Sequence, residues 1–211
     1  MIKIIIADDH SIVREGLKKI ISTTPNVVVT DEASDGMELL RKVQKNRYDI
    51  AVLDIKMPGM NVLDLIKTIK NDKPKISILV LSMYPEEQYA ARALKAGASG
   101  YLTKESAPKA LVNAIQKIAK GGTYISEKFS DQLVLQLNSD EDALPHDKLS
   151  DREYQVFRLI AAGQSNKVIS EELNLSDKTV STYRVRILQK LNLKNNAEIT
   201  HYAFKYGLVD W

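Results

Sequence analysis

Ile4-Ile5-Ile6-Ala7-Asp8-Asp9-His10 decides the fold, because an apolar run that stops on two acids reads as a buried strand delivering carboxylates to one end. Residues 50–53, followed by Asp54, and residues 100–103, followed by Lys104, repeat the arrangement. Residues 76–81 make a further run, ending at Ser82. Runs of four to eight apolar residues rich in Ile and Val suit strands buried on both faces. Amphipathic stretches lie between them at 12–21, 37–44, 62–69, 88–96 and 111–119. With the half-exposed run 27–33 they make five strand-then-helix units. Such alternation predicts an open, parallel five-stranded sheet with helices on both faces and right-handed crossovers. Five units are too few for an eight-stranded barrel.

In an open parallel sheet, chemistry gathers outside the carboxyl ends of the strands, where Asp8, Asp9, Asp54, Ser82 and Lys104 all fall. Carboxylates that close cannot all stay ionised unaided, and a divalent cation resolves the conflict. The chain has no Cys and only three His. Oxygen ligands then favour Mg²⁺, which keeps waters and takes one or two carboxylates plus phosphate oxygens. Lys104 adds a mobile point charge suited to a phosphoryl group. Singly, each residue has an ordinary reading: Asp9 as a cap for a helix opening near Ser11, Asp54 as a turn residue before Pro58, Lys104 as a solvated lysine. Their convergence on one rim argues against coincidence. One His without a second nitrogen or sulfur ligand makes a poor metal site, so His10 is assigned to the rim.

Residues 1 to about 120 resemble a bacterial two-component receiver domain of flavodoxin-like (βα)5 fold. The resemblance is carried by Ile4 to His10, by Val52-Leu53-Asp54-Ile55-Lys56-Met57-Pro58-Gly59, by Leu81-Ser82, and by Gly97-Ala98-Ser99-Gly100-Tyr101-Leu102-Thr103-Lys104. It implies that Asp54 accepts a phosphoryl group from a sensor histidine kinase, forming an acyl phosphate. Asp8, Asp9, Asp54 and the backbone carbonyl of Lys56 would hold Mg²⁺, Ser82 would hydrogen-bond the phosphoryl group, and Lys104 would pair with it. Tyr101 would act as an aromatic switch that turns inward when Ser82 moves. Lys56 and Tyr84, each two residues past a site residue, flank the expected path of the hydrolytic water and are expected to set the phosphate's lifetime. Two positions depart from the family pattern. Met60-Asn61-Val62 stands where many members carry Asp-Gly, which predicts a differently shaped loop because Val does not adopt positive φ as Gly does. Glu105 stands where many carry Pro.

Gly121-Gly122 breaks the preceding helix, and residues 121–147 read as a linker. It holds a short amphipathic stretch at 130–138, with Leu133 and Leu137 on one face, followed by an acidic, turn-rich run to Asp147. Beyond it the texture is helical. Ser150 with Glu153 forms a capping box, opening a helix with Val156, Phe157 and Ile160 inward. Gly163 ends it, Ser165 caps a second helix with Val168, Ile169 and Leu173 on its apolar face, and Asn174-Leu175-Ser176 turns into a third over residues 177–191. Residues 197–206 make a fourth. Two helices joined by a tight turn outline a helix-turn-helix. In the third helix Val180, Ile187, Leu188 and Leu191 face inward, leaving Lys178, Ser181, Thr182, Val185 and Gln189 as an outward stripe suited to a major groove, where Ser, Thr and Gln reach base edges and Val touches a thymine methyl. Lys167, Thr179, Arg184, Arg186 and Lys190 are placed as phosphate contacts, although any one of them would serve equally as a solvated surface residue.

Leu149-Ser150-Asp151-Arg152-Glu153, Gly163-Gln164-Ser165-Asn166-Lys167, Leu175-Ser176-Asp177-Lys178-Thr179-Val180 and Lys190-Leu191 resemble the LuxR-type helix-turn-helix, over about residues 146–211. Tyr183 departs from the His common at that position. A receiver joined to such a small all-α four-helix domain, residues 148–211, is similar to response regulators of the NarL/FixJ class. The resemblance implies a transcription regulator that binds double-stranded DNA as a homodimer and catalyses only its own phosphotransfer and dephosphorylation.

Composition constrains this reading without deciding it. The 211 residues carry a net charge of +3, and residues 148–211 hold 10 Lys and Arg against 7 Asp and Glu. So weakly basic a tail predicts modest, salt-sensitive DNA affinity from one copy, which favours two half-sites. The absence of Cys suits a reducing cytoplasm, and no apolar run reaches the roughly 20 residues of a membrane span. Two other classes share parts of the pattern: an Mg²⁺-dependent phosphatase with an Asp nucleophile, and a module whose helical tail docks a protein.

Overall fold

The computed structural model describes residues 1–57, 60–131 and 144–209. The chain divides into two compact units, residues 1–133 and 134–211. The first alternates β1 (Ile2–Ala7), α1 (Ser11–Ile21), β2 (Val27–Ala33), α2 (Gly36–Lys45), β3 (Ile50–Asp54), α3 (Val62–Asp72), β4 (Ser77–Ser82), α4 (Glu86–Ala96), β5 (Gly100–Thr103) and α5 (Ala107–Ala119). All strand pairs are parallel, in the order β2-β1-β3-β4-β5. Strand order therefore reverses between β1 and β3, which is where an open α/β sheet leaves a crevice.

The unbroken apolar runs are explained by burial on two faces. Ile4, Ile6, Ile50, Val52, Leu79, Leu81 and Leu102 pack with Leu17 and Ile21 of α1 and Leu111, Ile115 and Ile118 of α5. The alternate residues Ile5, Ala51, Leu53, Ile78 and Val80 point to the other face and are also fully buried. Each such side chain contributes roughly 1.5–3 kcal/mol on leaving water. Local chemistry places the helix starts. The Asp35 side chain accepts from the Glu38 N–H to open α2, and Asn61 accepts from the Leu63 and Asp64 N–H groups to open α3. Asn61 sits at φ −61°, so α3 opens on an asparagine cap that needs no positive φ at Val62. His10, not Asp9, occupies the cap position of α1, and its side chain makes no capping bond. Asp9 thereby keeps its carboxylate for the rim.

The first compact unit includes residues beyond 120. Gly121 does end α5, at φ +82°, but the following residues return to the sheet. The Tyr124 N–H donates to the Ser99 carbonyl at 3.0 Å, and the Tyr101 N–H donates to the Tyr124 carbonyl at 2.9 Å. A Cβ on Gly100 would lie 2.8 Å from that carbonyl oxygen, so this close approach requires the glycine. The Ser126 N–H and hydroxyl both donate to the Glu86 carboxylate, Phe129 is buried, and residues 127–131 are helical. One buried aromatic in a polar stretch is a weak signal, which is why the segment reads as linker. Leu133, Leu137 and the acidic run to 143 lie outside the described residues.

The second unit contains a 3-10 turn at Pro145–Lys148, α6 (Asp151–Ala161), α7 (Asn166–Leu173), α8 (Asp177–Leu191) and α9 (Asn196–Lys205). The capping box at Ser150 and Glu153 is complete. Asn174 and Asn192 end α7 and α8 in left-handed conformation, which short polar side chains tolerate. Phe157, Ile160, Ile169, Val180, Ile187, Ile199 and Ala203 form the core. Val168 differs from expectation: it is 46% exposed, because Ile169 and Leu173, one turn apart, define the inward face of α7 and Val168 lies a step round from it.

Candidate functional site

Parallel register brings the rim residues together. Ala7 pairs with Leu53 across β1 and β3, and Ser82 pairs with Thr103 across β4 and β5. Asp8 and Asp54 therefore leave adjacent strands at one level, and Lys104 reaches them from β5, on the far side of β4. The Lys104 Nζ lies 2.6 Å from Asp8 Oδ2 and 2.9 Å from Asp54 Oδ2. Both carboxylates are nearly inaccessible, at 1% and 4% exposure. Asp9 is more open, with its Oδ1 2.8 Å from Nδ1 of the exposed His10. Ligand atoms of Asp8, Asp9, His10 and Asp54 all lie within 4.8 Å of one another.

Charge in this cluster does not balance. Three carboxylates gather around one ammonium, an excess of two negative charges; Asp8 and Asp54 are buried, where uncompensated charge is costly, and Asp9 is exposed. Burial pushes the Asp54 carboxyl above its ordinary range; Lys104 pulls it back, Asp8 adds to the rise, and the Lys56 N–H opposes it. Burial disfavours the Lys104 ammonium, but hydrogen bonds to Asp8 and Asp54 outweigh this and hold its pKa above the usual lysine value. A divalent cation would carry the missing charge, and an oxygen-dominated donor set suits a hard ion. The residues present fit Mg²⁺.

Ser82, Tyr84 and Tyr101 form a connected path beside the acids. The Ser82 Oγ accepts from the Tyr84 N–H at 2.9 Å, and the Tyr101 hydroxyl donates to the Tyr84 carbonyl at 2.8 Å. The Tyr101 ring is fully buried, so it stands in the inward position. The Lys104 N–H donates to the Ser82 carbonyl at 2.7 Å, which ties the lysine's backbone to the serine's strand. Lys56 is exposed and Tyr84 half-buried at the same rim.

Two residues at the site carry no signal in the sequence. Arg14 of α1 donates from Nη1 to the Asp8 carbonyl at 2.7 Å and from Nε to Glu32 Oε2 at 2.9 Å. Arg14 lies on an amphipathic helix among other cations and Glu32 on a half-exposed strand, so both read as surface charges until β1 and β2 pair.

In the second unit, Lys178, Ser181, Thr182, Val185 and Gln189 are all exposed on α8, while Val180, Ile187 and Leu191 are buried. Lys167 and Arg186 are exposed. The Thr179 hydroxyl lies against the Ser176 cap at 2.8 Å, Arg184 donates to Asn196 Oδ1 at 2.6 Å, and Tyr183 is half-buried. Lys190 differs from its expected place as a phosphate contact. Its ammonium lies 2.6 Å from Glu153 Oε2 and 3.2 Å from the Lys148 carbonyl, so it fastens α8 to α6. A lysine at a helix end looks the same in sequence whether it faces solvent or a buried Glu.

Comparison with known proteins agrees with both units. The response regulator receiver domain family matches residues 4–116, and the luxR family of bacterial regulatory proteins matches residues 147–203. The chain is 36% identical to the response regulator UvrY of Escherichia coli (strain K12) over 211 residues, covering 100% of this chain and 97% of that protein. It is 38% identical to the oxygen regulatory protein NreC of Staphylococcus carnosus, covering 99% of this chain and 100% of that one. Among solved structures it resembles RcsB of Salmonella enterica serovar Typhimurium bound to the promoter rprA in the presence of phosphomimetic BeF3⁻. That match has a TM-score of 0.67 at 29% identity and covers 99% of this chain and 100% of the other. With the acid and lysine rim on one unit and the helix-turn-helix on the other, the chain belongs to the two-component response regulators of the NarL/FixJ class.

Proposed function

We propose that this protein is a phosphorylation-controlled transcription regulator that accepts a phosphoryl group on Asp54 from a sensor histidine kinase and binds specific DNA as a homodimer. The observation that carries the proposal is the charge imbalance at Asp8, Asp9 and Asp54 beside Lys104, at the sheet's switch point. An Asp54 oxygen attacks the phosphorus of a phosphohistidine. The P–O bond forms, the P–N bond breaks, and its electron pair leaves with the imidazole, giving an acyl phosphate. Asp8, Asp9, Asp54 and the Lys56 carbonyl would hold Mg²⁺, which when bound neutralises charge on the transferring oxygens. Lys104 exchanges its carboxylate partners for a phosphoryl oxygen, and Ser82 Oγ donates to another. Lys56 and Tyr84 then govern water's approach and so the lifetime of the acyl phosphate. The domain acts once on itself and is a switch, not a turnover catalyst.

On the DNA side, Ser181, Thr182, Val185 and Gln189 read base edges, and Lys167, Lys178, Thr179, Arg184 and Arg186 contact phosphates. Phosphate can shift the regulator's equilibrium only by its differential interaction with the two states. Asp54→Ala tests the whole reading by gel shift and sedimentation. The variant is expected to lose the gain in dimerisation and in sequence-selective, salt-sensitive DNA binding that acetyl phosphate confers on the wild type. If it binds and dimerises like the phosphorylated protein, phosphate control is wrong; retention of a protein partner with no DNA shift would favour a protein-docking tail.

A further inference from the structure

Arg14 lies beside the acid cluster and takes no part in the chemistry above. Beyond Ala7 the chain leaves the sheet and turns into α1. The Asp8 N–H still donates to the Ala33 carbonyl at 3.2 Å, and the His10 N–H donates to Asp8 Oδ1 at 2.8 Å. The Asp8 carbonyl has passed the end of the strand ladder, and Arg14 Nη1 meets it at 2.7 Å. Peptide planarity makes that carbonyl and the Asp9 N–H one rigid unit. Holding the plane therefore restrains ψ at Asp8 and φ at Asp9, the two backbone torsions that aim their side chains.

The guanidinium is itself held. Its Nε lies 2.9 Å from Glu32 Oε2, and the side chain is 17% exposed. The other Glu32 oxygen takes Lys18 Nζ at 2.7 Å, and Lys42 Nζ donates to the Glu32 carbonyl at 2.5 Å. The Lys18 hydrogen bond, with Arg14 assisting, holds the Glu32 carboxyl below its ordinary range despite burial, so the tether is ionised at neutral pH. An arginine's rigid fork can serve a carbonyl and a carboxylate at once, whereas a lysine offers one point of charge. The arginine's own charge would oppose a nearby cation, but Glu32 neutralises it in direct contact. Orientation is what remains.

We propose that Arg14, braced by Glu32, is a positioning residue that orients the Asp8 and Asp9 carboxylates for Mg²⁺. This rests on the metal-binding reading given above. The test is calorimetric titration of MgCl2 into the full-length wild type, R14Q, R14K and E32Q, with a thermal melt of each. Residues supporting metal ligands typically change affinity about 10–100-fold. Because Arg14 acts through one peptide plane, R14Q and R14K are expected to weaken Mg²⁺ about 10-fold, and E32Q about 3-fold, with R14K giving no rescue. Phosphorylation by acetyl phosphate in R14Q should fall at limiting Mg²⁺ and return to the wild-type rate at saturating Mg²⁺. Wild-type affinity in R14Q, or a rate that excess Mg²⁺ does not restore, overturns the inference and leaves the metal site standing. If R14Q fails to fold, E32Q decides, and wild-type affinity there overturns it equally. A wild type that takes up no Mg²⁺ would defeat the underlying reading instead.

Discussion

Lys104 and Lys190 both place an ammonium 2.6 Å from a buried carboxylate, yet the two units use the same contact for different ends. In the helical unit one ammonium meets one carboxylate, and Glu153 is further satisfied by the Ser150 N–H at 2.7 Å. The charges cancel and α6 is fastened to α8. In the receiver unit one ammonium faces three carboxylates, and the remainder stays uncancelled. A balanced buried pair is structural; a cluster left with excess negative charge keeps binding energy available for a cation. Each change below probes that contrast.

The largest effect is expected from Asp54→Asn. It should abolish acyl phosphate formation, read by phosphate-affinity electrophoresis after acetyl phosphate treatment, while raising the melting temperature by removing one of the crowded charges. A lower melting temperature would show the cluster to be balanced after all. Lys104→Ala comes next. Losing one partner of a buried pair costs about 3–5 kcal/mol, and the lysine's partial access to water reduces the expectation to about 2 kcal/mol. Mg²⁺ should restore part of that loss in a urea titration, since it can supply the missing charge.

Glu153→Gln is expected to cost about 1 kcal/mol through the weakened cap and ion pair. Mg²⁺ should restore none of it, and recovery would erase the distinction between the units. The pH dependence should also separate them. Burial tends to raise the Glu153 pKa, but Lys190 and the Ser150 hydrogen bonds overcome it and hold the carboxyl below 4.5. Its contribution is therefore full above 4.5 and is lost as pH falls through the depressed value. The Lys104 pKa is raised above 10.5, so its contribution is full below 10.5 and is lost as pH rises through the raised value. Residue-resolved hydrogen exchange should show α6 and α8 loosening at the acid edge and the β5 end at the alkaline edge. Smallest is Lys178→Ala. On α8 the uncancelled charge is solvated, so the salt slope of DNA binding should shrink by about 1 with folding stability unchanged.

Strands buried on both faces were the most legible part of the chain. Residues 2–7 and 100–103 occupy the strands their apolar runs predict, because a two-faced strand leaves no polar alternation to misread, and the half-exposed run 27–33 is a strand as well. Asp8, Asp9, Asp54 and Lys104 were legible for the same reason: each stands at or next to the end of such a run. The α8 stripe followed from helical period alone. Less legible were residues whose partners lie far along the chain. Tyr124 and Ser126 sit in a polar stretch, and nothing local shows that they return to Ser99 and Glu86.

The order of apolar runs and the identities of the residues ending them determined the parallel sheet, the acidic rim and the helix-turn-helix, since burial and helical spacing are local properties of a sequence. Tertiary structure alone decided which charges meet. It set Lys104 against Asp8 across 96 residues, closed Lys190 on Glu153, and turned Arg14 onto the Asp8 carbonyl. Ion pairs and carbonyl contacts act over a few ångströms, and only a folded chain brings distant residues within that reach.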